Sequence, residues 1–239
     1  MGSTHFYLEY LMTFHSLLRT YFHNPAIFAI EYSLAPGAQW PTQRTEVFNG
    51  YLHALSVAKS ASRICVMGDS AGGSLGLSLL HNIKKAADVS NGYCEPPAFM
   101  VLVSPWMTLV SNTHRDSPDD YLSVRALHKF ARLYAPDKSD HGVLEDASPS
   151  VLLRSGWKSM SPQYGYYIWY GDKELLAPDI RSAIQRMRKL GASVHVEARQ
   201  AGGRNLHVWP LISFFLASDQ ERRMEEMKTI AAAIAAVMA

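Results

Sequence analysis

Apolar and polar positions along this chain switch between helical and strand-like spacing, and the switches mark out its elements. Residues 4–22, THFYLEYLMTFHSLLRTYF, place Leu8, Leu11, His15 and Leu18 along one side, so the pattern predicts a helix that Asn24-Pro25 ends. Ala26 to Glu31 is a short apolar run between turn residues, the mark of a strand. Pro36, Gly37 and Pro41 then define a loop before a helical stretch at 43–58. The alternation continues with a strand at 63–67, a helix at 71–86, strands at 98–103 and 164–170, a helix at 177–190, a strand at 193–198 and a last helix at about 219–238. Apolar strands separated by helices predict an α/β fold: a mostly parallel, doubly wound sheet with helices on both faces. Residues 107–162 form a longer excursion in which Pro118, Pro136, Pro149 and Pro162 break helical patches at 121–134. Such an insertion commonly forms a lid.

Composition narrows the picture. With 239 residues, 48% of them hydrophobic, the chain reads as one domain with a large core. A net charge of +2, without a basic run or an interleaved aromatic stripe, excludes the usual footprint of a nucleic-acid partner. No apolar run is long enough to span a membrane, and no internal repeat or heptad pattern occurs. Two cysteines, Cys65 and Cys94, make no disulfide framework, no Asn-x-Ser/Thr acceptor is present, and the first residues do not read as a secretory signal. A reducing, cytoplasmic setting follows as the expectation.

The strongest chemical signal is Gly68-Asp69-Ser70-Ala71-Gly72, which joins the strand at 63–67 to the helix at 71–86. A Gly-x-Ser-x-Gly turn between strand and helix is a nucleophile elbow: the turn residue takes strained dihedrals, so Gly68 and Gly72 are expected to be side-chain-free of necessity. Ser70 then projects at the sheet edge, and the Ala71 amide at the helix N-terminus points where an oxyanion forms. A serine hydroxyl needs a general base, and the base an orienting acid, in the chain order serine, acid, histidine. The strand at 164–170 runs into Gly171-Asp172-Lys173-Glu174, and the strand at 193–198 is followed by a loop ending in His207. His195 lies within a strand and reads as an ordinary sheet position. Trp106, Tyr164, Tyr166, Tyr167, Trp169 and Tyr170 read as core aromatics rather than site residues. The ten histidines show no zinc-ligand spacing, so neither metal nor other cofactor is expected.

Four segments resemble the hormone-sensitive-lipase-like branch of the α/β-hydrolases, which includes many carboxylesterases. They are Tyr32-Ser33-Leu34-Ala35-Pro36 with Pro41, Gly68-Asp69-Ser70-Ala71-Gly72-Gly73, Ser104-Pro105-Trp106, and Gly171-Asp172-Lys173-Glu174 with His207. The resemblance implies an α/β-hydrolase fold and cofactor-free hydrolysis of small to medium acyl esters by Ser70, His207 and an acid. It selects Glu174 as that acid, in a slot more often held by aspartate, with Asp172 as the alternative. It also implies a His-Gly-Gly-like loop carrying further oxyanion donors and a strand before it, and neither is in the sequence. The family-like segment begins at residue 2, so Met1 is expected to be an internal methionine of a longer hydrolase with its N-terminal strands missing. A half-built oxyanion hole leaves a rival class open: a weak or inactive relative that keeps the cleft for a ligand.

Overall fold

The computed structural model describes residues 4–90, 94–136, 147–153, 157–199 and 206–239. Its centre is a parallel sheet of β1 (Cys65–Asp69), β2 (Phe99–Val103), β3 (Tyr166–Gly171) and β4 (Val194–Arg199), hydrogen-bonded in that order. Parallel neighbours need crossovers, and helices supply them: α3 (Ala71–Ser90) joins β1 to β2, and α7 (Ala177–Lys189) joins β3 to β4. Between β2 and β3 come α4 (Val124–Tyr134), α5 (Pro149–Leu152) and α6 (Trp157–Met160). α1 (Thr4–Leu18) and α2 (Thr42–Ala58) precede the sheet, while α8 (Trp209–Leu216) and α9 (Gln220–Met238) follow it.

The period of two in a strand assigns each side chain to a face. Met100, Leu102, Tyr166, Ile168 and Tyr170 join one core with residues of α2, α3, α7 and the insertion. Phe99, Val101, Val103, Tyr167 and Trp169 join another with α1, α8 and α9. β2 and β3 are buried on both faces, which is why their sequences are continuous apolar runs. α9 is tied to the sheet by a polar contact as well, since the Trp169 indole Nε1 donates to buried Glu226 Oε2 at 3.0 Å. Its N-terminus is capped by Asp219, which accepts from the Arg222 amide at 2.9 Å.

One expectation changes, and one helix is added. Residues 26–31 are not a strand: they run without regular structure. A strand exists only where a neighbour takes its backbone hydrogen bonds, and among the described residues β1 is the sheet's edge. The run still uses its apolar side chains, with Ile27 packed against one core and Ile30 against the other. The helix for which the sequence pattern held no expectation is α8, whose WPLISFFL sequence has no polar face to reveal a helical period. The core aromatics behave as expected, with Tyr166, Tyr167, Trp169 and Tyr170 buried, whereas Tyr164 is 40% exposed.

Candidate active site

β1 ends at the elbow. Ser70 has φ 49°, the left-handed region that few non-glycine residues adopt, and its backbone is held on both sides. Its amide donates to the Val103 carbonyl at 2.9 Å, and its carbonyl accepts from the Trp106 amide at 3.1 Å. A side chain on Gly68 would place its Cβ 2.5 Å from the Gly72 carbonyl oxygen, so a bare Cα there is obligatory. The expectation for Gly72 is corrected: a Cβ on it meets nothing within 4 Å. The second crowded position is Gly73, where a Cβ would lie 2.9 Å from the Pro105 ring, because the start of α3 packs on the Ser104-Pro105-Trp106 segment. Ala71 opens α3, so its N–H belongs to the first turn, where an α-helix offers no internal acceptor.

The loops at the C-terminal ends of β3 and β4 bring two further side chains to the serine. His207 Nε2 lies 2.8 Å from Ser70 Oγ, and His207 is buried. For the hydroxyl to donate to Nε2, the neutral ring carries its proton on Nδ1. Nδ1 faces Glu174 Oε1 at 3.8 Å, an ion-pair distance longer than a hydrogen bond. The other carboxylate oxygen, Oε2, accepts from Ser104 Oγ at 2.7 Å and from the Gly171 amide at 3.2 Å. Burial pushes the Glu174 carboxyl above its ordinary range, and the His207, Ser104 and Gly171 contacts act against that push. Asp172 points elsewhere, with Oδ1 accepting from Arg181 at 2.7 Å on the surface. Of the loop before His207, residues 201–205 lie outside the described residues.

Two groups that the sequence pattern does not single out border the site. Asp69 is held above its ordinary range by burial, opposed by the Tyr7 hydroxyl, which donates to its Oδ2 at 3.0 Å, and by nearby His207. Tyr121, from the insertion, lies with its ring centroid 6.1 Å from that of His207 and is 56% exposed. Neighbouring Asp120 accepts from the Leu175 amide at 2.7 Å, fastening this part of the insertion to the loop that carries Glu174. His195 sits in β4 opposite Tyr167 and stacks on its ring, away from Ser70's partners. Among the described residues no three His, Cys, Asp or Glu side chains converge to hold a metal ion, and no helix is long and apolar enough to cross a membrane.

The arrangement has relatives. The chain is 25% identical over 179 residues to the Schizosaccharomyces pombe protein named "Putative steryl acetyl hydrolase mug81", covering 70% of this chain and 45% of that one. It is 26% identical over 188 residues to an acetyl-hydrolase of Streptomyces hygroscopicus, covering 77% and 57%. The chain therefore spans about half the length of the curated relatives it matches. Among solved structures it superposes on a hormone-sensitive lipase from a metagenome library with TM-score 0.65 and 26% identity, covering 86% of this chain and 65% of that chain. The fold alone is shared with carboxyl esterase 2 of Tuber melanosporum, with TM-score 0.74 and 19% identity, over 100% of this chain and 75% of that chain. A family model described as alpha/beta hydrolase fold matches residues 4–209, and the chain belongs to that family.

Proposed function

We propose that this chain is a serine carboxylic ester hydrolase acting on small to medium acyl esters, with Ser70 as nucleophile, His207 as base, Glu174 as acid and the Ala71 amide as oxyanion donor. The observation that carries the reading is the 2.8 Å contact between Ser70 Oγ and His207 Nε2 at a left-handed elbow. Ser70 Oγ attacks the ester carbonyl as His207 takes its proton, and the Ala71 N–H receives the negative charge of the tetrahedral intermediate. His207 then protonates the departing alkoxide, leaving an acyl-serine that water hydrolyses by the reverse proton path. Glu174 fixes the tautomer of His207 and stabilises the imidazolium. No cofactor enters this chemistry, and a small-molecule ester is the one partner it needs. The names of the acetyl-hydrolase relatives favour short acyl groups. Residues 107–162, of which 137–146 and 154–156 lie outside the described residues, serve as a lid-like insertion within one α/β-hydrolase domain, and the cysteine usage favours the cytoplasm.

Turnover of p-nitrophenyl acetate and butyrate tests the reading: Ser70→Ala abolishes it, and equal rates in the two proteins refute it. The 3.8 Å spacing of His207 and Glu174 favours one rival, a weak or inactive relative that retains the cleft for a ligand. A fluorophosphonate probe separates the two, because it reacts only with an activated serine.

A further inference from the structure

Ser104 directly follows β2, fully buried, with φ 46°. The other non-glycine residues of left-handed backbone among those described are Lys59, Ser70 and Val208. Ser70 is the proposed nucleophile and Val208 directly follows the proposed base, so three of these four positions lie at one site. Such conformations persist where the surroundings over-determine them. Around Ser104 three hydrogen bonds do so. Its amide donates to the Trp169 carbonyl at 2.7 Å, its Oγ donates to Glu174 Oε2 at 2.7 Å, and the same Oγ accepts from the Val208 amide at 3.0 Å.

We propose that Ser104 is a positioning residue, whose single hydroxyl fixes the Glu174 carboxylate and the backbone beside His207 in one geometry. This rests on the reading of Ser70, His207 and Glu174 as a triad. The reason lies in the acid itself. A glutamate arm has one more rotatable bond than aspartate, and its far end must be held if one oxygen is to face an imidazole. Ser104 and the Gly171 amide both bind Oε2, which turns Oε1 toward His207 Nδ1. By bonding Val208 as well, the hydroxyl links the loop after β3 to the loop after β4, two segments that share no sequence proximity. Asp172 lacks any such clamp.

The hydroxyl also has an electrostatic consequence. A hydrogen bond donated to a carboxylate favours the ionised form, so Ser104 opposes the effect of burial on Glu174. The titratable groups that interact with this carboxylate are His207, Tyr170 on β3 and Tyr121 on the insertion, while Asp120 holds the adjacent Leu175 amide and Asp69 interacts with His207.

The test uses Ser104→Gly, which suits the left-handed backbone and so protects the fold, beside Ser104→Ala. Both are expected to lower kcat for p-nitrophenyl butyrate by about 10- to 100-fold, the worth of one hydrogen bond to a charged group, with KM little changed. The Glu174 carboxyl, followed by carbon-13 NMR, is expected to titrate at higher pH in both variants. In a Glu174→Ala background the Ser104 substitutions are expected to lower kcat by a smaller factor than in wild type, since only the Val208 contact is then left to lose. Wild-type kcat in Ser104→Gly, an unmoved Glu174 titration, or losses that multiply in the double variant would each overturn the proposal. Failure of the triad reading is separately visible as turnover that survives Ser70→Ala. The NMR titration needs no turnover and tests the hold of Ser104 on Glu174 in either case.

Discussion

Replacing Glu174 with glutamine removes one negative charge from beside His207 while keeping the arm's length. The two groups stand 3.8 Å apart, with side-chain exposures of 3% for His207 and 0% for Glu174, so little water screens them. Unit charges about 4 Å apart attract by about 4 kcal/mol at an effective dielectric near 20. In the proposed mechanism His207 starts neutral and gains a proton in the transition state, so this attraction would act mostly on the transition state. At about 1.4 kcal/mol per decade, Glu174→Gln is expected to lower kcat by about a thousandfold. Asp172→Asn is the control: its partner Arg181 lies on the surface, and such pairs contribute at most about 1 kcal/mol to stability and nothing to this reaction. Steady-state hydrolysis of p-nitrophenyl butyrate, normalised to folded protein, measures both. A Glu174→Gln enzyme within about tenfold of wild type, or a larger loss in Asp172→Asn, would refute the reasoning. The same substitution has a stability signature of opposite sign. Burial raises the Glu174 carboxyl above its ordinary 4.5, so the folded protein holds that proton more tightly than the unfolded chain. Stability from this group is therefore lost as pH rises from 4.5 through the folded value. Glu174→Gln is expected to melt above wild type at neutral pH, with the gain shrinking towards pH 4.5.

Gly68→Ala forces a Cβ to within 2.5 Å of backbone and is expected to cost about 1–3 kcal/mol or more in urea denaturation, whereas Gly72→Ala, with open space around it, is expected to be neutral or slightly stabilising. Asp179 is buried, which works to raise its carboxyl, yet hydrogen bonds from His114, Thr113 and Ser111 outweigh this and hold it below the ordinary 3.8. Its stabilisation is thus present above 3.8 and lost as pH falls through the lower folded value, and Asp179→Asn is expected to flatten that acid limb of stability. Tyr7→Phe removes the hydroxyl bonded to Asp69 and is expected to cost about 1–3 kcal/mol by urea denaturation and to raise the Asp69 carboxyl further.

Strands β2 and β3 were legible as continuous apolar runs cut off by turn residues, a pattern that burial on both faces demands, β1 as the apolar start of the elbow, and β4 as the alternation Val-His-Val-Glu-Ala-Arg. Ser70 was legible because an elbow needs particular residue types at particular spacing, and His207 because chain order follows the strands. Residues 26–31 show the limit of that reasoning: an apolar run reveals that side chains will be buried, not that a neighbour will take its backbone hydrogen bonds. α8 escapes because its less buried positions, Trp209, Ile212, Phe215 and Leu216, are apolar as well, leaving no amphipathic stripe to read. Gly72 and Gly73 look alike in sequence, and only the approach of Pro105 distinguishes them. Ser104 illustrates the same point at the site. Its partners, Glu174 and Val208, are 70 and 104 positions away, and a serine after an apolar strand carries no mark of what its hydroxyl will touch.

Mapping a fluorophosphonate adduct by mass spectrometry of the intact chain and its peptides tests the central claim most directly. The account predicts a single adduct on Ser70, absent in Ser70→Ala and strongly slowed in His207→Ala. A folded protein that takes no label, or one labelled at another residue with Ser70 untouched, would contradict it.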